Sequence, residues 1–127
     1  PHTPWVPTAE FLNKSEAGKY GDFVQMVDAA VGSIMSKLKE LGLQENTIVV
    51  FTSDNGPYWR EDKINKFDHR AAAKFRGMKG DIYEGGHRIP FIVRWPGKVE
   101  PGSHSSFTTT LTNLIATCSD IVGVELN

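Results

Sequence analysis

Two neighbouring oxygen-bearing side chains, Asp54 and Asn55, stand directly before Gly56 in the 127-residue sequence. Carboxylate and amide oxygens are hard ligands of the kind that Ca²⁺ or Mg²⁺ selects. Asp-Asn-Gly is also an ordinary tight turn, because these residues tolerate left-handed backbone angles and bond their own backbone. The tripeptide leaves both interpretations open, and two side chains cannot fill the coordination shell of a cation that binds six or more oxygens.

A basic, glycine-rich stretch follows further along the chain. Between Arg60 and Arg88, eight Lys or Arg residues face five Asp or Glu residues, a local balance of +3. An anionic substrate would suit this excess, although a solvated charged loop is an equally good interpretation. Glycine at positions 77, 80, 85 and 86 allows the backbone to approach closely or to adopt positive φ. Such geometry can aim Lys79 inward as a compact charge, whereas a lone lysine is more often on the surface.

The histidines and the cysteine give weaker indications of a chemical role. His2 lies in a stiff segment with three prolines among residues 1–8, and its imidazole could act as a general acid near neutral pH or simply be an exposed ring. The other three histidines lack the spacing of a metal site and are interpreted as structural. Cys118 lies on the apolar stripe of a predicted helix, so core packing is expected.

The elements that must position these residues follow from hydrophobic periodicity. From about Lys19 to Leu41, apolar residues at offsets of three and four predict an amphipathic helix that Gly42 ends. The β-branched run Thr47–Thr52 predicts a strand buried on both faces, as in a parallel sheet flanked by helices. Asp54 and Asn55 then lie at the carboxyl end of that strand, where ligands usually bind in open α/β sheets.

Three later segments complete the predicted α/β domain. Residues 91–95 predict a short strand closed by a Pro-Gly turn, and residues 111–122 predict a helix that Gly123 ends. The polar stretch Tyr58–Phe75 lacks periodicity, and loops of that length usually have a task.

Composition excludes several classes of protein. The formal charge of −1 argues against a nucleic-acid partner, whose binding surface would need an excess of basic residues. A single cysteine excludes an internal disulfide framework and a Cys-rich zinc site. The longest apolar runs, such as Ile48–Phe51, are far shorter than the roughly 20 residues that span a bilayer, so no membrane segment is expected.

Taken together, the sequence resembles type I sulfatases of the arylsulfatase A-like branch, within the alkaline-phosphatase superfamily. Four blocks carry the resemblance in the family's order: residues 1–4, residues 20–42, the run NTIVVFTSDNG over residues 46–56, and RGMKGDIYEGGHRIPFIVRWPG over residues 76–97. The last block is the most specific, because its glycines, its lysine and its Trp-Pro-Gly turn all agree.

The resemblance implies an alkaline-phosphatase-like α/β fold, of which this chain forms part of a mixed, mainly parallel sheet flanked by helices. It implies that Asp54 and Asn55 are two of four protein ligands of an active-site calcium. It further implies that Lys79 binds sulfate and faces the leaving-group oxygen, and that His2 contacts sulfate and helps to protonate the departing alcohol. The implied substrate is a sulfate ester of a carbohydrate or an aryl alcohol.

The chain lacks part of the family pattern. Sulfatases use a formylglycine made from Cys or Ser in a C/S-x-P-x-R motif, and neither that motif nor the family's early Asp pair or Lys-x-His motif occurs here. We therefore expect residues 1–127 to be a central to C-terminal portion of a sulfatase catalytic domain. The missing N-terminal half would supply the formylglycine and the other calcium ligands, and the isolated fragment would be inactive. Family resemblance places such a protein in the periplasm, the extracellular space or the lysosome.

Two alternatives remain at this point. The parent protein could be a phosphoesterase or phosphonate hydrolase of the same superfamily, or the chain could be a non-catalytic remnant acting in binding or assembly. A truncated half-sheet would expose apolar edges and could self-associate. For the alcohol side of the substrate, the loop Tyr58–Ala73 with Trp59 and His69 is the candidate recognition element.

Overall fold

The computed structural model describes residues 1–126 and combines helices with a small sheet. The order of elements is α1 (Gly18–Glu40), a 3₁₀ turn (Gln44–Asn46), β1 (Val49–Thr52), α2 (Glu61–Phe67), α3 (Glu84–His87), β2 (Phe91–Arg94) and α4 (Asn113–Val122). This mixture is the predicted α/β class. The predicted long helix, the two strands and the last helix all form close to their predicted positions.

The two strands pair antiparallel, with Val49 opposite Arg94 and Thr52 opposite Phe91. Within residues 1–126 they form a two-stranded sheet, so a parallel neighbour of β1 is not present in that range. The prediction that β1 is buried on both faces is wrong for this chain, because Val50 is 39% exposed. A two-stranded sheet cannot cover its own faces, and burial of this apolar run requires further layers.

Glycine ends both long helices, as the sequence predicts. Gly42 follows α1 with φ of +68°, and Gly123 follows α4 with φ of +70°. Both angles lie in the left-handed region, where a residue without Cβ carries no steric penalty. The Gly123 N–H donates to the Asp120 carbonyl at 3.2 Å, which closes the end of α4.

An aromatic cluster surrounds Trp59, the one aromatic side chain that is buried among residues 1–126. Trp59 is only 4% exposed, and its Nε1–H donates to the His69 carbonyl at 2.8 Å. The Tyr20 ring lies 4.6 Å from Trp59 and 5.4 Å from Trp5 between centroids, and the Phe67 ring centroid lies 5.9 Å from that of Trp59. The cluster joins the N-terminal segment, α1 and the region of α2. It also corrects two expectations: residues 58–75 contain a helix, and Trp59 belongs to the core.

A buried carboxylate fixes the chain just before α1. Asp22 is 1% exposed and accepts backbone N–H groups from Asn13, Lys14 and Ser15 at 2.8–3.0 Å. Burial alone would raise the pKa of Asp22, but the three backbone hydrogen bonds outweigh it and hold that pKa below its ordinary value. The charged carboxylate therefore stabilises the loop that leads into α1.

Large apolar side chains remain open to solvent on several elements. Ile34 on α1 is 58% exposed, and Ile115 and Val122 on α4 are 67% and 69% exposed. Cys118 is exposed too, so the prediction that it packs in the core is wrong. Among residues 1–126, no element covers the apolar face of α4 on which Cys118 lies. No helix in this range is long and apolar enough to cross a bilayer.

Candidate active site

One cleft of about 750 Å³ collects all four site residues that the sequence suggested. His2 from the N-terminal segment, Asp54 and Asn55 from the end of β1, and Lys79 from the glycine-rich loop line it together. Its remaining walls come mainly from the N-terminal segment, from α1, and from the end of β1 with the turn that follows it. Side chains from three distant parts of the sequence thus face a single space large enough for a small ligand.

The turn after β1 is held by its own side chains. Ser53 Oγ donates to the Asn55 carbonyl at 3.1 Å, and Asn55 Nδ2 donates to the Gly56 carbonyl at 2.9 Å. With its nitrogen engaged, the Asn55 amide has an oxygen, Oδ1, that no donor within residues 1–126 occupies, beside the exposed carboxylate of Asp54.

This donor set fits a hard cation such as calcium, because both available groups are oxygens. In the described range, residues 1–126, no group of three or more His, Cys, Asp or Glu side chains is gathered in a way that could hold a metal ion. Two oxygen donors, from Asp54 and Asn55, are fewer than the six or more that calcium binds.

Backbone contact between two loops brings Lys79 to the same place. The Gly56 N–H donates to the Gly86 carbonyl, and the Lys79 N–H donates to the Pro57 carbonyl, each at 2.9 Å. A Cβ at Gly56 would lie 2.0 Å from the Gly85 carbonyl oxygen, so only glycine permits this approach. The prediction of close backbone approach in the glycine-rich stretch is confirmed.

Lys79 lies between two glycines with left-handed backbone, Gly77 at φ +85° and Gly80 at φ +95°. Asp81 Oδ2 accepts the Met78 N–H at 3.0 Å and tightens this loop. The Lys79 side chain is half-buried, and within residues 1–126 its Nζ takes part in no ion pair or hydrogen bond. Its positive charge is thus available to an anion in the cleft.

In the part of the chain that the structure describes, the imidazole of His2 has one nitrogen engaged and one free. Because a carbonyl can only accept, Nδ1–H donates to the Thr3 carbonyl at 2.6 Å, which leaves Nε2 available for a ligand. Packing of Trp5 on Tyr20 attaches this N-terminal segment to α1. Burial of the Tyr20 ring raises the pKa of its phenol, so the hydroxyl stays neutral near the site.

Sequence reasoning missed Arg88, which also lines the cleft. Its Nε donates to Glu84 Oε2 at 2.5 Å, and its guanidinium lies 4.7 Å from the Phe75 ring centroid. The hydrogen bond and the charge of Arg88 hold the pKa of Glu84 below its ordinary value. The four-residue separation of Glu84 and Arg88, which lies directly after α3, was a usable signal for this pair.

Comparison with known proteins identifies the family. The sequence profile of the Sulfatase family matches residues 1–124. The chain belongs to the sulfatase family. It is 42% identical over 125 residues to an arylsulfatase of Hemicentrotus pulcherrimus, covering 98% of this chain and 22% of that protein. It is 42% identical over 110 residues to an N-acetylgalactosamine-6-O-sulfatase of Bacteroides thetaiotaomicron, covering 83% of this chain and 22% of that protein.

Solved structures agree with this assignment. A structure from work on glycosaminoglycan metabolism by Bacteroides thetaiotaomicron superimposes with a TM-score of 0.88 at 36% identity, covering 99% of this chain and 27% of that one. The fold is therefore that of a sulfatase, in agreement with the predicted alkaline-phosphatase-like class. The sulfatase chain described here spans about a fifth of the length of the curated relatives it matches.

Proposed function

We propose that this chain forms one part of the active site of a longer sulfatase that hydrolyses sulfate esters. The observation that supports this most strongly is the shared cleft, which His2, Asp54, Asn55 and Lys79 all line. The chain's coverage of about a fifth of its relatives supports the proposal that it is a portion of a longer catalytic domain, and the family resemblance implies that this portion is central to C-terminal. The nucleophile, expected to be a formylglycine, then lies outside these residues.

Each residue has a distinct task in this proposal. Asp54 and Asn55 donate two oxygens to a calcium ion, and carboxylates elsewhere in the protein complete the shell. Bound calcium would stabilise negative charge on the sulfate oxygens. Lys79 binds a sulfate oxygen through its unpaired ammonium group and lies close to the oxygen of the departing alcohol.

His2 completes the proposed mechanism as a proton donor. When the sulfur–oxygen ester bond breaks, the electron pair stays on the alcohol oxygen, which needs a proton. Protonated Nε2 of His2 can supply it, while the hydrogen bond from Nδ1–H to Thr3 fixes the orientation of the ring. A donor oriented in this way contributes a rate factor of about 10² to 10⁴ in enzymes generally.

The substrate class can be tested directly with the whole protein. We expect it to hydrolyse 4-methylumbelliferyl sulfate at a kcat/KM at least about 100-fold higher than for the corresponding phosphate or phosphonate ester. The isolated 127-residue chain serves as the control and should be inactive, because it lacks the expected nucleophile. Preference for phosphate would favour the phosphoesterase alternative, and no turnover of any ester would favour a non-catalytic remnant.

The location of the protein belongs to the same proposal. As the family resemblance implies, we expect it in the periplasm, the extracellular space or the lysosome. Fractionation of the native cells with an antibody against the chain tests this expectation.

A further inference from the structure

A second cleft lies directly beside the one that contains Lys79. It has a volume of about 430 Å³ and shares Pro57 and Ala71 with the main cleft as common walls. Three arginines line it, Arg60, Arg70 and Arg76, against two acids. Because the two clefts adjoin, a ligand held at Lys79 can extend across the shared wall into the second cleft.

Two of the three arginines are free to bind an anion. Arg60 is already paired, since its Nε lies 3.4 Å from Asp62 Oδ1. In the described part of the chain, no carboxylate lies within ion-pair distance of Arg70 or Arg76. Both are exposed, so an incoming ligand can reach them.

The contacts around Arg76 favour binding of a ligand anion over an ion pair with an acidic side chain of the same chain. Its guanidinium stacks 3.7 Å from the Tyr83 ring centroid, which restrains the side chain and leaves its N–H edges open. The nearby carboxylate of Asp81 is engaged with the Met78 N–H at 3.0 Å. A stacked guanidinium loses less freedom when it binds, because its position is already fixed.

We infer that Arg70 and Arg76 form a second anion subsite, which takes another sulfate or carboxylate of the same substrate. Guanidinium groups bind such oxyanions through paired, charge-assisted hydrogen bonds. The inference rests on the proposed function and narrows its substrate class to multiply charged molecules, such as an oligosaccharide with two anionic groups. A simple aryl sulfate, with one charge, would leave this subsite empty.

The test compares a polyanion with a monoanion as inhibitors. In the whole protein, hydrolysis of 4-methylumbelliferyl sulfate is measured at low ionic strength with sucrose octasulfate or inorganic sulfate as competitor, because salt screens exposed charges. We compare the inhibition constant of sucrose octasulfate divided by that of inorganic sulfate. We expect Arg70→Gln to raise this ratio about tenfold, because only the polyanion reaches the second subsite. Arg76→Lys, which keeps the charge and loses the paired geometry, should raise the ratio by a smaller factor.

The control is Lys74→Gln, which removes one positive charge from the same loop at an exposed position that lines neither cleft. If Lys74→Gln and Arg70→Gln raise the ratio of inhibition constants equally, the proposed subsite is overturned, because general charge attraction alone would then explain the effect. If the protein turns over no sulfate ester, the proposed function fails, and calorimetry of sucrose octasulfate with the whole protein decides on the subsite. Unchanged affinity in Arg70→Gln would then overturn it.

Discussion

Lys79 is the side chain to which the proposed function assigns the binding of the sulfate anion. It comes between two left-handed glycines and is half-buried, and its backbone N–H bonds the turn that follows β1. A lysine on an ordinary surface loop would lack all three features. The residue therefore combines a fixed backbone with an ammonium group that no acid within residues 1–126 neutralises.

Replacement of this ammonium group should damage catalysis more than folding. In the whole protein, we expect Lys79→Ala to lower kcat/KM for an aryl sulfate by about 10² to 10³, because an aimed positive charge stabilises the transition state. Lys79→Arg should recover a part of the loss. Lys98→Ala, at an exposed position outside the cleft, is the matched control. A loss under twofold in Lys79→Ala would contradict the role.

Asp22 provides a prediction about pH and stability. Its pKa is lowered in the folded chain, so its contribution is fully present above the unfolded pKa of about 3.9 and is lost as pH falls through the folded pKa. Asp22→Asn should lower Tm by roughly 5 °C or more at neutral pH, because an amide nitrogen would face backbone N–H donors.

The pH dependence of the Tm difference distinguishes the effect of the Asp22 charge from the effect of side-chain packing at position 22. The Tm difference between wild type and Asp22→Asn, followed by circular dichroism, should narrow as the pH falls below about 4. Glu10→Gln, an exposed acid without backbone partners in the described range, should show almost no difference at either pH. A gap that stays constant down to pH 2 would show that the charge of Asp22 does not matter.

Among the elements, the turn after β1 and the glycine-rich loop are held together by a close backbone contact. The backbones of Gly56 and Gly85 are in direct contact. A Cβ at Gly56 would lie 2.0 Å from the Gly85 carbonyl oxygen, and a Cβ at Gly85 would lie 2.2 Å from the Gly77 carbonyl oxygen. This contact joins the segment that carries Asp54 and Asn55 to the segment that carries Lys79.

Substitution of these glycines should show how tightly the two elements fit. Gly56→Ala should destabilise the fold by about 1–3 kcal/mol, the range for overpacking in a close-packed region. Gly32→Ala is the control, since a Cβ there meets nothing within 4 Å and the residue is helical, so it should stabilise by up to about 1 kcal/mol. Equal urea midpoints for the two variants would contradict the proposed tight contact.

The elements that the sequence predicted are those with a strong local signal. Apolar spacing and a terminal glycine were sufficient for α1 and α4, and the β-branched run was sufficient for β1. The seven-residue helix α2 was missed, because one or two turns present too few apolar positions for a period to appear. Strand direction was not available from local sequence, since pairing depends on partners distant in the chain.

The single residues of the candidate site were easier to predict from the sequence than their meeting in one cleft. The Asp54-Asn55 pair and the glycines around Lys79 were visible as residue types, while the role of His2 came only from family resemblance. Their meeting in one cleft depends on tertiary contacts such as the hydrogen bond from Gly56 to Gly86. The burial of Trp59 depends likewise on Tyr20 and Trp5, which no periodic pattern links to it.

At the scale of the whole molecule, the 127-residue chain covers few of its own apolar surfaces. Among residues 1–126, the buried residues other than glycine and proline are Trp59, Ala17 and Asp22, while Ile92 on β2 is 61% exposed. Exposed apolar side chains on α1, β2 and α4 are the surfaces that further layers of an α/β fold would cover. This is consistent with the proposal that the chain works within a longer protein.

The isolated chain should therefore self-associate. We expect sedimentation velocity to show a concentration-dependent rise in mass at micromolar concentrations, because exposed apolar patches drive association. Ile115→Ser combined with Val122→Ser on α4 should shift the association to higher concentration, whereas Lys39→Ser on the charged side of α1 should leave it unchanged. A monomer at all concentrations would contradict this expectation.

Calcium dependence of sulfate ester hydrolysis tests the proposed site most directly. In the whole protein, a chelator should abolish turnover of 4-methylumbelliferyl sulfate, and added calcium should restore it. Asp54→Asn should need at least about tenfold more calcium for half-maximal activity, since calcium affinity follows the charge of its ligands. Activity that survives complete chelation, or an unchanged calcium requirement in Asp54→Asn, would contradict the claim that these residues hold a catalytic cation.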